Sequence, residues 1–133
     1  MTRLLIVAAG ALIDRDGRIL VAKRPPGKAM AGQWEFPGGK LEENETPEAA
    51  LVRELGEELA INVEESCLAP FSFSSENSGD FHLLMALYLC RKWGGIPRPM
   101  ENQATKWVFP AELMQLDMPP ADKPLAAQLR DYL

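Results

Sequence analysis

Two apolar runs open the chain. Residues 4–13 are Ile, Leu, Val and Ala but for Gly10, residues 18–24 carry Ile-Leu-Val-Ala between Arg18 and Lys23-Arg24, and Asp14-Arg15-Asp16-Gly17 separates the two. This pattern predicts two strands joined by a tight turn at Asp16-Gly17, a hairpin. Residues 25–32 begin Pro-Pro-Gly and predict a loop, and Phe36-Pro37-Gly38-Gly39 predicts a second tight turn. Residues 68–74 and 81–91 read as strands, 105–109 as a short strand and 110–116 as a short helix. A last helix starts near Lys123 with Asp122 as its N-cap, and Leu125, Leu129 and Tyr132 form one buried stripe along it. Strands with helices interposed predict an α+β or α/β fold, a sheet flanked by helices.

The segment 46–60 has the clearest periodicity. Thr46 can accept from free backbone N–H groups, and Pro47 at the first helical position gives up no needed donor, so a helix starts there and runs to about Leu59. At about 100° per residue, Val52, Leu55 and Leu59 fall on one side, and Glu54, Glu57 and Glu58 on the other. Acidic helix faces are ordinarily just solvated. Here Glu54 has like charges at both i+3 and i+4, each costing about 0.2–0.5 kcal/mol. The nearest cation, Arg53, leans to one flank, where it can reach Glu57. Carboxylates gathered on a rigid element behind a glycine turn suit a hard cation that takes oxygen ligands and leaves room for water and phosphate.

Composition narrows the classes. With 133 residues, the chain is expected to be one domain spanning 1–133. Hydrophobic residues at 47% and charged ones at 25% are ordinary for a globular protein. A net charge of −5 and no basic stripe argue against a long nucleic acid as partner, but not against a small polyphosphate brought in with metal ions. Cys67 and Cys90 match no zinc spacing; Cys90 lies in an apolar run and reads as a buried free thiol, which fits a reducing cytoplasm. The apolar start has one positive residue, Arg3, and runs straight into a turn, so a hairpin accounts for it better than a signal peptide. No run approaches the ~18 apolar residues of a membrane span.

From Gly39 through Glu45, Arg53-Glu54-Leu55, Glu57-Glu58 and Ala60-Ile61, the sequence resembles the Nudix box. Every defined position matches except Ala60, where the pattern has the glycine that ends the helix. Ala22-Lys23-Arg24, Trp34-Glu35-Phe36-Pro37-Gly38-Gly39 and Pro119-Pro120-Ala121-Asp122 extend the likeness to the MutT-type branch over nearly the whole chain. The resemblance implies the Nudix fold, an α/β/α sandwich with a mixed sheet between helices. It also implies metal-dependent hydrolysis of a nucleoside triphosphate to monophosphate and pyrophosphate.

The resemblance further implies roles for single residues. Glu54, Glu57 and Glu58, with the Gly38 carbonyl, would hold Mg²⁺ or Mn²⁺, and Glu101 would be a further ligand or a base. Glu45 and Arg53 would orient the ligand carboxylates, and Arg24 would meet phosphate. Phe36 would line the base pocket, and Asp122 would read the base. An ionised Asp only accepts hydrogen bonds, which suits guanine's N1–H and amino edge or the cytosine amino group. Glu54, Glu57 and Glu101 each remain candidates for taking the water's proton. His82, the only histidine, has no second histidine beside it and reads as a pocket wall or surface residue. The expected substrate is an oxidised guanine nucleotide such as 8-oxo-dGTP. CTP, dCTP or a modified cytosine nucleotide is the alternative within the fold, and a non-catalytic nucleotide sensor is a third. A monomer is expected.

Overall fold

The computed structural model describes residues 3–133; Met1 and Thr2 of the apolar opening lie outside the described residues. Seven strands and three helices follow in the order β1 (Arg3–Leu12), β2 (Ile19–Lys23), β3 (Trp34–Glu35), β4 (Gly38–Lys40), α1 (Pro47–Leu59), β5 (Leu68–Asn77), β6 (Phe81–Cys90), β7 (Ala104–Val108), α2 (Pro110–Leu113) and α3 (Asp122–Tyr132). A short 3-10 turn, Glu65–Cys67, precedes β5.

The strands divide between two sheets, one ordered β4-β1-β6-β5 and one ordered β3-β2-β7. The first is mixed. β1 runs parallel to β6 in unbroken register from Arg3↔Phe81 to Leu12↔Cys90, and antiparallel to β4. The expected hairpin therefore exists only at its tip. The Asp14 carboxylate accepts from the Asp16 and Arg18 backbone N–H groups and so makes the turn, and Ile13 bridges Ile19. Beyond that bridge, β1 and β2 part into different sheets. Residues 8–13 are buried on both faces, and a strand covered on both sides belongs in a sheet interior. The segment from Phe36 to Gly39 is likewise not a closed turn. It carries the chain from β3 in the smaller sheet to β4 in the larger, and the Pro37 carbonyl accepts from Gly10 N–H at 2.8 Å.

Alternation along β1 and β6 sorts the core into two layers. Ala8, Leu12, Tyr88 and Cys90 pack with Leu51, Leu55 and Leu59 of α1. Ala9, Ala11, Met85, Leu87 and Leu89 pack with Phe36 and with Leu125, Ala126 and Leu129 of α3. Helices thus cover the large sheet on both faces, the expected sandwich. Gly10 lies under α1, where even a Cβ would come within 3.5 Å of Leu51.

Helix α1 begins as expected, with Thr46 Oγ1 accepting from Ala49 N–H at 3.1 Å. Its buried face is Ala50, Leu51, Leu55 and Leu59, with Val52 packed at the flank. It ends at Ala60 in the left-handed region, φ 58°, where alanine costs about 1 kcal/mol more than glycine. In α3 the stripe of Leu125 and Leu129 is buried, but Tyr132 is exposed, its ring tilted against Phe71 at 5.2 Å. Asp122 is not the N-cap of α3. That position is Ala121, without a side-chain cap, and Asp122 is the first helical residue, turned inward. Cys90 is buried and Cys67 half-buried, both as free thiols.

Candidate active site

A cavity of about 480 Å³ opens on the α3 face of the large sheet, between the two sheets. Its floor comes from alternate residues of β1 and β6: Leu5, Val7, Phe81, Leu83 and Met85. Of the expected site residues, Arg24, Phe36, Gly38, Glu58, Glu101 and Asp122 all line it. His82 falls on the other face of β6 by the same alternation and is bonded to Ser75 Oγ, so it is no wall of the cavity.

One end of the cavity is acidic. The Glu58 carboxylate accepts from Gly38 N–H at 3.1 Å. Burial, then the charges of Glu54, Glu35 and Glu101, push its pKa up to about 8. Burial also raises Glu54, with Glu57 and Glu101 adding to the effect. Glu54 sits in the space a side chain at Gly39 would take, since a Cβ there would stand 2.5 Å from its carboxyl oxygen. Gly38 has φ 151°, and a Cβ on it would run into the Ala8 carbonyl. Both glycines are thus required by close approach.

The acidic face of α1 is less bare than its sequence suggests. Arg53 donates to Glu45 Oε2 through Nε at 2.8 Å and to Glu45 Oε1 through Nη2 at 2.9 Å. Nη1 reaches Glu54 at 2.9 Å and Glu57 at 3.5 Å, and Nη2 also meets the Lys40 carbonyl at 3.1 Å. One guanidinium therefore fixes β4, the loop before α1 and two of the three carboxylates. Its bonds to Glu45 hold that carboxyl down at about 2. Among the described residues Glu58 pairs with no cation, and no three acidic, His or Cys side chains converge as they stand to hold a metal ion. An all-oxygen set cradled by two glycines, with Glu54 and Glu58 both raised by burial and a single guanidinium among them, fits a hard divalent ion.

At the other end, Asp122 is 1% exposed and its Oδ2 accepts from Phe36 N–H at 3.0 Å. Burial, with Glu35 adding, pushes its pKa up to about 7. Arg24 stands between the ends. Nη1 donates to Glu35 at 2.7 Å and Nε to the Ala29 carbonyl at 2.6 Å, so this side chain also holds the 25–32 loop.

Glu35 and Gln103 also line the cavity, and the sequence alone assigns neither a role there. Glu35 was readable only as part of the Trp-Glu-Phe string, and its pairing with Arg24 follows from the register of Ala22 with Glu35. Gln103 donates to the Glu58 carbonyl at 2.9 Å and accepts from Glu101 N–H at 2.8 Å, which no local signal announces.

Comparison with known proteins agrees with this geometry. The NUDIX domain profile matches residues 8–128. An 8-oxo-dGTP diphosphatase of Escherichia coli (strain K12) is 36% identical, over 95% of this chain and 96% of its own. A CTP pyrophosphohydrolase of the same organism is 42% identical, over 91% and 88%. A solved structure of MutT, from work on Aliivibrio salmonicida and Vibrio cholerae, superposes with a TM-score of 0.85 at 34% identity, over 98% of this chain and all of that one. Hydrolases of this family generally use divalent metal ions. The chain belongs to the NUDIX domain family, as a MutT-type hydrolase.

Proposed function

We propose that the protein hydrolyses a nucleoside triphosphate to the monophosphate and pyrophosphate, with Mg²⁺ as its metal and an oxidised guanine nucleotide such as 8-oxo-dGTP as its preferred substrate. The observation that carries this reading is one cavity with carboxylates at one end and a buried, inward-turned carboxyl at the other. Glu54, Glu57, Glu58 and Glu101, with the Gly38 carbonyl, would hold the metal. Once bound, the ion neutralises the polyphosphate and lowers the pKa of a water. Arg53 keeps Glu54 and Glu57 oriented, and an ionised glutamate among Glu54, Glu57 and Glu101 accepts the proton. Arg24 meets phosphate with the N–H groups that Glu35 and Ala29 leave free. Phe36 and Asp122 hold the base.

Asp122 also supports a second reading. Its remaining oxygen can accept from guanine's N1–H and amino edge or from the cytosine amino group, and a CTP pyrophosphohydrolase is among the relatives. Cytosine triphosphates therefore stand as the alternative substrate. The role that fits is sanitation of the nucleotide pool in the cytoplasm by a monomeric enzyme of one domain, acting on free nucleotides and not on a nucleic acid polymer. No helix of the described residues is long and apolar enough to cross a membrane. Pyrophosphate release from 8-oxo-dGTP, dGTP, dCTP and CTP, each with Mg²⁺ and with excess chelator, tests both readings. Full turnover in chelator would refute the metal, and no turnover of any triphosphate would refute the reaction.

A further inference from the structure

The loop that carries Glu101 is tied to the end of α1. The carbonyls of the last turn of a helix have no partner within it, and here the loop supplies partners. Arg98 N–H donates to the Leu59 carbonyl and Met100 N–H to the Glu58 carbonyl, each at 3.0 Å. Gln103 makes a third tie. Its Nε2 donates to the same Glu58 carbonyl at 2.9 Å, and its Oε1 accepts from the backbone N–H of Glu101 at 2.8 Å. Asn102 between them takes φ 60°, the left-handed bend that lets the Gln103 side chain fold back on Glu101. Glu58, Glu101 and Gln103 all line the cavity.

Both ends of one carboxamide are therefore spent on the backbones of the two segments that bring Glu58 and Glu101 into the site. A surface loop needs no such bridge to stay folded, because Arg98 and Met100 already close the helix end. What the bridge adds is a fixed separation between two carboxylates that repel. We propose that Gln103 is a positioning residue, which sets Glu101 opposite Glu58 so that both can serve one divalent ion. The proposal rests on the reading of Glu101 as part of the metal site.

The test compares Gln103→Met, Glu101→Ala and the double variant. Methionine keeps the length and loses both hydrogen bonds. Mn²⁺ binding is followed by the electron paramagnetic resonance of free Mn²⁺ during titration with nucleotide-free protein, beside kcat with Mg²⁺ and thermal melts. Loss of an orienting residue costs metal affinity on the order of tenfold. Gln103→Met is expected to weaken Mn²⁺ by about that factor while its melt stays near that of the parent, and the double variant should bind no worse than Glu101→Ala alone. Parent-like Mn²⁺ binding in Gln103→Met would overturn the proposal, as would losses that multiply in the double variant, since a residue acting through Glu101 has nothing left to act on. Should Gln103→Met lack a cooperative melt, Gln103→Asn carries the same test. It keeps the carboxamide but is one methylene short of spanning both partners. If Glu101→Ala itself binds Mn²⁺ and turns over like the parent, Glu101 is no part of the site. A normal Gln103→Met beside an impaired Glu101→Ala would instead refute the positioning role alone.

Discussion

Replacing Glu58 by glutamine should make the metal-free protein more stable at alkaline pH and leave it unchanged at pH 5. Burial and three neighbouring carboxylates carry the Glu58 pKa from 4.5 to about 8. A carboxyl raised in this way favours the folded state while it is protonated, and that advantage drains as pH rises from about 4.5 through about 8. That rise, at about 1.4 kcal/mol for each tenfold in proton affinity, sets a ceiling near 5 kcal/mol. Glu58 is only half-buried in an open cavity, so water and small movements will recover more than half of this, leaving about 2 kcal/mol. At this chain length that is about 6 °C in Tm. Glutamine keeps an oxygen for Gly38 N–H and carries no charge to desolvate. Asp122, raised to about 7, pulls in the same direction, so the variant should lose only part of the parent's slope. Glu45 titrates near 2 and lies outside the window. The assay is Tm by differential scanning in chelator at pH 5, 7 and 9. A variant-minus-parent difference that is constant across these pH values would refute the reasoning, as would a parent more stable at pH 9 than at pH 5.

The remaining predictions concern turnover and base choice. Glu57→Gln is expected to lower kcat at least ~10²-fold, since a ligand to transition-state charge supplies a few kcal/mol; a folded variant with parental kcat would remove Glu57 from the metal set. Arg24→Ala should raise KM about tenfold, the worth of one charge-assisted phosphate contact, and should also speed proteolytic nicking within 25–32, because the Ala29 carbonyl loses its partner. An unchanged KM with faster nicking would leave Arg24 with the loop alone. Asp122→Asn keeps an acceptor for Phe36 N–H and turns its other arm into a donor, so kcat/KM for 8-oxo-dGTP against dCTP should shift by ~1–3 kcal/mol, with Tm nearly constant at pH 5 and raised at alkaline pH, where the parent must bury a charge. An unchanged ranking would take base reading away from Asp122.

What the sequence disclosed was local. Thr46, Pro47 and the spacing of Leu55 and Leu59 define α1 because capping and periodicity act within a few residues of themselves, and the same periodicity separates Glu54, Glu57 and Glu58 from the core. The failures lie where a residue's partner comes from far along the chain, or where the reach of a long side chain decides the contact. Asp122 looked like an N-cap because aspartate before an apolar stripe is one, yet its acceptor is taken by Phe36 N–H, 86 positions away. The reach of Arg53 to Glu57 was legible from its place on the flank, whereas its bonds to Glu54 and to the Lys40 carbonyl depend on how a flexible stem folds over the helix.

The split of the first two strands is the most consequential of these. A hairpin would have paired β1 with β2 along its length and left Arg24 and Gly38 at no particular distance. By sending β1 beside β6 and β2 beside β7, the fold opens a gap between two sheets, and the short passage from Glu35 to Gly38 must cross it. That crossing puts Phe36 N–H against Asp122 and Gly38 N–H against Glu58, two residues apart, with the chain bending at Pro37 between them. Both carboxyls are thus held by N–H groups of one short crossing, and an insertion there should abolish turnover even if every carboxylate remains.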